Sequence, residues 1–310
     1  MGINPKTLDE YIGQGRVKSN IRTIITSLQD RTIFDDPMDH MLLCGPPGLG
    51  KTSLAELVAA EAQRPIIKLM GPQLKNADSL SILQDIEPWT FIFIDEIHAL
   101  PTKVEEALYE PMDEFRWKGS YLNSFTLIGA TTKEGLLSKP LRSRFTIAET
   151  LTLYSVEDLI QIVKRSATIL KLLIDDKASE VIAKRSRGTP RIANQYLKRI
   201  SYYNRVITRE VAQNAMDTLR VDEQGVDARD FGIIKMIGAL GGGPVGLNFL
   251  ALSSQEDVET ILGREPFLIA VGLMERSPRG KSLTEKGKIF LKDKESFYSS
   301  EEREPCAQII

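Results

Sequence analysis

Two short segments carry residue types that could do chemistry together. GPPGLGKT, Gly45 to Thr52, has the spacing G-x-x-x-x-G-K-[ST]. Glycines there let successive backbone N–H groups close around phosphate oxygens, and a helix starting at the lysine adds partial positive charge. In this pattern Lys51 holds the β and γ phosphates and Thr52 binds Mg²⁺. FIFIDEIH supplies the complement, with Asp95 and Glu96 after four apolar residues. Carboxylates at the end of a buried strand need a cation nearby. Asp95 is placed to hold a Mg²⁺ shell and Glu96 to orient and polarise an attacking water; without a phosphate loop the pair would read as a solvated strand end. For His98, a packed structural role and a catalytic role both stay open. Further along, LIGATT carries Thr131 and Thr132, and KPLRSRF carries Arg142 and Arg144. An arginine lent by a neighbouring subunit accelerates phosphoryl transfer by roughly 10³- to 10⁵-fold. If Arg144 plays that part, activity requires oligomerisation; the alternative is a surface salt bridge.

These residues need a scaffold that brings strand ends together. MLLC (41–44), PIIKLM (65–70), FIFID (91–95), FTLIGA (125–130) and ETLTL (149–153) read as buried strands separated by amphipathic helices such as KTSLAELVAAEAQ. Strands alternating with helices predict a parallel sheet covered on both faces. From Ser155 to Leu219 no strand is expected, and SVEDLIQIVKRSATIL, DDKASEVIAKRS, PRIANQYLKRISYYN and REVAQNAMDTL predict four helices. A third region follows: a helix to about Leu240, a GGGP break, two more helical patterns and short strands around SPRG, with disorder expected only after Ser296.

At 310 residues the chain exceeds what one growing core holds, so several domains are expected. The fold class is α/β, with expected divisions at 1–153, 154–222 and 223–310. No apolar run approaches the roughly 20 residues of a membrane span, and the first residues contain no apolar signal stretch, so a cytoplasmic protein is expected. Cys44 and Cys306 are the only cysteines, which argues against a disulfide framework or a cysteine metal site. Net charge is −2, yet basic residues are locally segregated. Lys184 to Arg209 holds eight Lys or Arg and no carboxylate, and Arg276 to Lys294 holds seven against Glu285 and Asp293. In the second stretch Arg276, Arg279 and Lys281 surround Pro278 and Gly280, a tight turn expected to push its side chains outward, either as a solvated loop or toward an anionic partner.

The chain as a whole resembles the AAA+ class and, more closely, the RuvB family of bacterial Holliday-junction branch-migration motors. The resemblance rests on LDEYIGQ, DHMLLCGPPGLGKTSLAELVA, FIFIDEIHAL, VEEALYEPM, FTLIGATT, PLRSRF, RSRGTPRIAN, and GGGPVGL followed by RSPRGK, all in family order. It implies an AAA+ P-loop NTPase core with a parallel sheet, a helical lid domain and a C-terminal winged-helix domain, working as a hexamer that uses ATP and Mg²⁺ to translocate duplex DNA in recombination and repair. By it Tyr11 and Ile12 lie against the adenine, and Gly48, Gly50, Lys51, Thr52 and Ser53 surround the phosphates. Tyr154 and Arg191 close from the lid, Thr132 is the first sensor, Arg191 the second, and Arg144 the finger acting on the adjacent subunit. Arg276, Arg279 and Lys281 fall on the DNA-tracking wing.

The chain departs from the family pattern in one place that matters. Members carry a long hairpin between EPMDEF and FTLIGATT that docks on a junction-binding partner, RuvA; here only RWKGSYLNS, Arg116 to Ser124, is present. That stretch predicts a tight turn at Lys118–Gly119 rather than an arm. A contact with a RuvA-like protein would be lost, rebuilt around Trp117 and Tyr121, or replaced; a buried Trp117 is equally expected. Smaller departures are Asn4 and Val258, where the family favours basic residues. Two other readings compete with the motor. A clamp-loader-like ATPase switch would end in a helical collar, and a non-hydrolysing scaffold would not need Lys51, Asp95, Glu96, Arg144 and Arg191 together.

Overall fold

A computed structural model describes residues 3–29 and 37–299. The chain divides into two compact units, one running to Ile162 and joined by Thr189–Arg191, the other made of Val163–Gly188 and the chain from Ile192 onward.

The first unit opens with α1 (Gly15–Gln29) and contains a parallel five-stranded sheet. Its strands are β1 (Met41–Cys44), β2 (Ile66–Met70), β3 (Thr90–Asp95), β6 (Phe125–Thr131) and β7 (Ile147–Thr150), in the order β2-β3-β6-β1-β7. A two-residue hairpin, β4 (Arg116–Trp117) with β5 (Ser120–Tyr121), precedes β6. The connecting helices are α2 (Lys51–Glu61), α3 (Thr102–Glu114) and α4 (Lys139–Ser143). β1 and β6 are buried along their whole length, as expected of parallel strands covered on both faces. Register pairs Cys44 with Thr131 and Met70 with Asp95, so the strand ends carrying the polar residues share one edge of the sheet. β1 lies where the strand order reverses, the place where open α/β sheets bind ligands.

Four of the expected strands fall within a residue or so of their sequence positions. The fifth, expected at 149–153, is instead Ile147–Thr150. Gln14 captures the next stretch: its Nε2 donates to the Thr152 carbonyl at 2.7 Å, and the Thr152 N–H donates back to Oε1 at 3.2 Å. A side-chain amide replaces the neighbouring strand there.

The helix α5 (Val156–Ile169) leads out of the first unit. The second unit contains α6 (Asp176–Arg185), α7 (Pro190–Ser201) from Ile192 onward, and α8 (Arg209–Thr218). Asp175 and Thr208 cap α6 and α8, their side chains accepting from Ala178 N and Val211 N. A short parallel pair, β8 (Leu173–Ile174) with β9 (Val206–Ile207), corrects the expectation of no strand here; two residues each are too few to leave a periodic signature. The last segment has α9 (Ala228–Ala239), α10 (Leu247–Ser254), α11 (Val258–Ala270), the hairpin β10 (Met274–Ser277) with β11 (Gly280–Leu283), and α12 (Glu285–Ser299). Val245 bridges to Lys281, adding one residue of a third strand to the hairpin.

The expected disorder after Ser296 is corrected for residues 297–299, which belong to α12; the rest of that tail lies outside the described residues. Tyr298 is buried and stacks on Phe231 with ring centroids 4.2 Å apart. Arg187, with φ of 55°, reaches this segment from the turn after α6. Its Nη2 donates to Asp230 Oδ2 at 2.5 Å and lies 3.0 Å from Asp227 Oδ2, while Arg264 Nη1 donates to Asp230 Oδ1 at 2.7 Å and to Asp227 Oδ1 at 2.8 Å. Two guanidinium groups and two carboxylates thus neutralise one another inside the unit, with the Asp230 side chain fully buried.

Candidate functional site

The nucleotide-binding candidates converge at the C-terminal ends of β1, β3 and β6. The loop after β1 turns sharply because Gly48 and Gly50 have φ of 79° and 94°. A Cβ on Gly48 would also lie 2.7 Å from Thr189 Cγ2, so no other residue fits without displacing that contact. Lys51 begins α2 and is 7% exposed, with Nζ donating to the carbonyls of Gly45 at 2.7 Å and Pro46 at 3.0 Å. Burial pushes its pKa below the usual lysine range, while Asp95 and Glu96 pull it up and Arg191 adds to the lowering. An ammonium whose hydrogen-bonded partners among the described residues are loop carbonyls suits an anion placed in the same loop.

Thr52 Oγ1 donates to Asp95 Oδ2 at 3.3 Å, bringing the two expected magnesium ligands together. Among the described residues no group of three or more His, Cys, Asp or Glu could hold a metal by itself. One hydroxyl and one carboxylate fit a Mg²⁺ that takes its other ligands from phosphates and water. Glu96 sits at a left-handed φ of 50°. Its Oε2 accepts from Thr132 Oγ1 at 3.2 Å and lies 3.2 Å from His98 Nδ1, which is itself 2.9 Å from Thr131 Oγ1. His98 therefore has the hydrogen-bonded position that the sequence left open, in contact with Glu96.

Tyr11 and Tyr154 come together on the loop, both hydroxyls donating to the Leu49 carbonyl, at 3.2 and 3.1 Å. Burial, with Tyr154 adjoining, drives the Tyr11 phenol far above its ordinary pKa, so it stays a neutral donor. Ile12 follows, half-buried, and Ser53 lies half-buried on the first turn of α2. The Arg191 N–H donates to the Gly48 carbonyl at 3.3 Å, and a Cβ on Gly48 would meet Arg191 Cβ at 3.0 Å. The second-sensor candidate thus packs directly on the phosphate loop. Burial pushes the Cys44 thiol up to about 12, so it has no thiolate chemistry to offer.

Arg142 and Arg144 are separated by their partners. Arg142 Nη2 pairs with Glu134 at 2.6 Å. Arg144, the C-cap of α4, donates from Nε and Nη2 to Asp113 Oδ2 at 3.0 and 2.6 Å and lies over the Tyr109 ring, Cζ 4.1 Å from its centroid. Sequence reasoning missed Asp113 and Tyr109. Their spacing on α3 was the available signal, since residues four apart share a helix face.

The basic wing is only partly as expected. Arg276 and Arg279 are exposed, but Lys281 is 4% exposed and its Nζ donates to Glu265 Oε2 at 2.8 Å. This corrects Lys281 as an outward phosphate contact: it lies on the face of β11 that also buries Leu283. The reason for Gly280 also differs from the one expected. Pro278 and Arg279 form the tip, and Gly280 is required because a Cβ there would lie 2.4 Å from the Val245 carbonyl, at a φ of 138°. Trp117 is buried, and the turn at Lys118–Gly119 has φ of 49° and 79°. Tyr121 is 78% exposed and accepts from Arg116 Nη2 at 2.8 Å.

Comparison with known proteins matches three successive stretches of the chain. The family model of the Holliday junction DNA helicase RuvB P-loop domain matches residues 3–151, that of the RuvB AAA lid domain matches 154–222, and that of the RuvB C-terminal winged helix domain matches 223–292. The Holliday junction branch migration complex subunit RuvB of Ligilactobacillus salivarius is 43% identical over 302 residues, covering 91% of this chain and 89% of its own. That of Pediococcus pentosaceus is 41% identical, covering 92% and 90%. The solved RuvB Holliday junction branch migration motor of Thermotoga maritima superposes with a TM-score of 0.86 at 42% identity, covering 94% of this chain and 98% of that one. With all three domain types matched in order and relatives this similar along nearly its whole length, the chain belongs to the RuvB family.

Proposed function

We propose that this chain is an ATP-driven motor that moves duplex DNA to drive branch migration of Holliday junctions in recombination and repair. The observation that carries the proposal is the presence in one chain of a phosphate loop gathered with Thr52, Asp95 and Glu96 and a winged-helix segment with an exposed basic turn. Residues 1–153 form the ATPase domain, 154–222 the lid and 223–310 the winged helix. The chain assembles as a homo-hexamer in the cytoplasm.

The geometry supports the following roles. Lys51 and the loop N–H groups receive the phosphates, and Arg191, packed on the loop, senses whether they are present. Tyr11, Ile12 and Tyr154 form the side of the loop that takes the adenine, and Ser53 adds a hydroxyl at the helix start. Thr52 and Asp95 hold Mg²⁺, which supplies charge neutralisation on the phosphates. Glu96, fixed through one oxygen by Thr132 and His98, uses the other to orient water. Arg144 acts on the nucleotide of the adjacent subunit. Arg276 and Arg279 contact phosphates, which carry position but no sequence information, as suits a motor on any sequence. The short hairpin offers Tyr121 and Arg116, not the buried Trp117, to a RuvA-like junction-binding protein.

ATP turnover measured with and without duplex DNA tests this reading. DNA should stimulate hydrolysis, and Glu96→Gln should lower it by at least about 10²-fold while nucleotide binding persists. Hydrolysis indifferent to DNA would remove the coupling, and unchanged hydrolysis in Glu96→Gln would remove Glu96 from its role.

A further inference from the structure

Arg144 is held more completely than a side chain that merely reaches outward would be. The Nε–Nη2 edge of its guanidinium faces Asp113 Oδ2, and Nη1 donates to the Pro140 carbonyl at 2.9 Å. The ring of Tyr109 supports its face at 4.1 Å. A guanidinium has five N–H donors. The three bonds described leave one N–H on each terminal nitrogen, an arrangement matched to two oxygens of a phosphate.

The cradle is itself fixed. The Tyr109 hydroxyl donates to Glu105 Oε1 at 2.7 Å, and Ser138, which caps α4 by accepting from Leu141 N at 3.1 Å, donates to the same oxygen. Glu105 thereby ties α3 to the N-terminus of α4, the helix whose C-cap is Arg144. α3 in turn begins just past the turn that carries Glu96 and His98.

We propose that Asp113 and Tyr109 are positioning residues for the arginine finger: they fix the Arg144 guanidinium so that its two unengaged N–H groups are presented to the nucleotide of the adjacent subunit. This rests on the reading of Arg144 as a finger acting in trans. Free arginine side chains lose rotamer freedom when they engage an anion, and a guanidinium already immobilised by a carboxylate and a ring loses less.

Full-length chains mixed in defined pairs provide the test. Misplacing a catalytic group by about 1 Å costs on the order of 10²-fold, so Asp113→Ala alone should lower kcat by about 10- to 100-fold, with the affinity for a fluorescent ATP analogue within about twofold of wild type. Mixed with Lys51→Ala subunits, which carry an intact finger but no competent site of their own, the Asp113→Ala sites should recover about tenfold or more. A merely structural defect would not be repaired by a neighbour. Asp113→Asn, which keeps the side-chain shape, should show the same loss and recovery. Tyr109→Phe, which keeps the ring under Arg144 but loses the bond to Glu105, should lose less turnover than Tyr109→Leu, which loses both.

Arg144→Ala taken through the same mixing separates the two claims. If it is not rescued, Arg144 is not a trans-acting finger and the cradle has no such role. If it is rescued while the Asp113 variants either keep full turnover alone or fail to recover on mixing, the finger stands and the positioning proposal is overturned.

Discussion

Glu96 and Lys281 show how a residue's neighbours decide its work. Glu96 has one oxygen held by Thr132 and His98, so the carboxylate proposed to direct water is already oriented before substrate arrives. A hydrogen bond to a charged group contributes about 1.5–3 kcal/mol, so Thr132→Val should lower kcat by about tenfold or more with ATP affinity preserved, as read by turnover and nucleotide titration. Lys281, by contrast, is sealed against Glu265 with both side chains 5% exposed. Removing one partner of a buried ion pair typically costs about 3–5 kcal/mol, so Lys281→Ala should lower the denaturation midpoint of the second unit rather than selectively weaken DNA binding. The phosphate loop and Asp95–Glu96 were legible because their chemistry depends on short, contiguous spacing. The inward turn of Lys281 was hidden behind its charge, although its place two residues from buried Leu283 on a strand carried the signal. Asp113 lies far from Arg144 along the chain, and only the packing of α3 beside α4 brings them together.

At the scale of elements, the wing is a hairpin whose tip is free because its base is fixed. Val245 and Lys281 exchange backbone hydrogen bonds at 2.8 and 2.9 Å, and Gly280 allows the approach. The exposed pair at and beside the tip should therefore act as point charges. Replacing Arg276 and Arg279 by Ala should weaken duplex binding equally across sequences and reduce the slope of log affinity against log salt by about two, measured by fluorescence anisotropy. Sequence-selective loss would indicate base readout instead. The sheet strands were legible because parallel strands are continuous apolar runs. α12 was not, since its deepest contacts come from Phe290 and Tyr298 amid a charged stretch. The end of β7 was misplaced because a single side chain, Gln14, diverts Thr152 from the sheet.

At the scale of the molecule, an overall charge of −2 conceals separated functions. The charges proposed to bind phosphate gather at the C-terminal strand ends of the parallel sheet, while the wing arginines lie in the second unit, where Arg187, Asp227, Asp230 and Arg264 join the turn after α6 to the winged-helix segment. Truncating the fully buried Asp230 to Ala leaves cationic partners uncompensated and should destabilise that unit by about 3–5 kcal/mol in a denaturant titration. Composition supported several domains, and the missing length between Phe115 and Phe125 already implied a compact hairpin, but the mutual neutralisation of these four groups could not be read without tertiary contacts. The central claim is that phosphate cleavage in the first unit drives movement of DNA held by the second. Its most direct test is a synthetic four-way junction with homologous arms, incubated with the purified protein and ATP, with and without a RuvA-type partner. The account predicts ATP-dependent resolution into duplex products, abolished by Glu96→Gln. Junction-stimulated hydrolysis that leaves the junction intact under both conditions would contradict it.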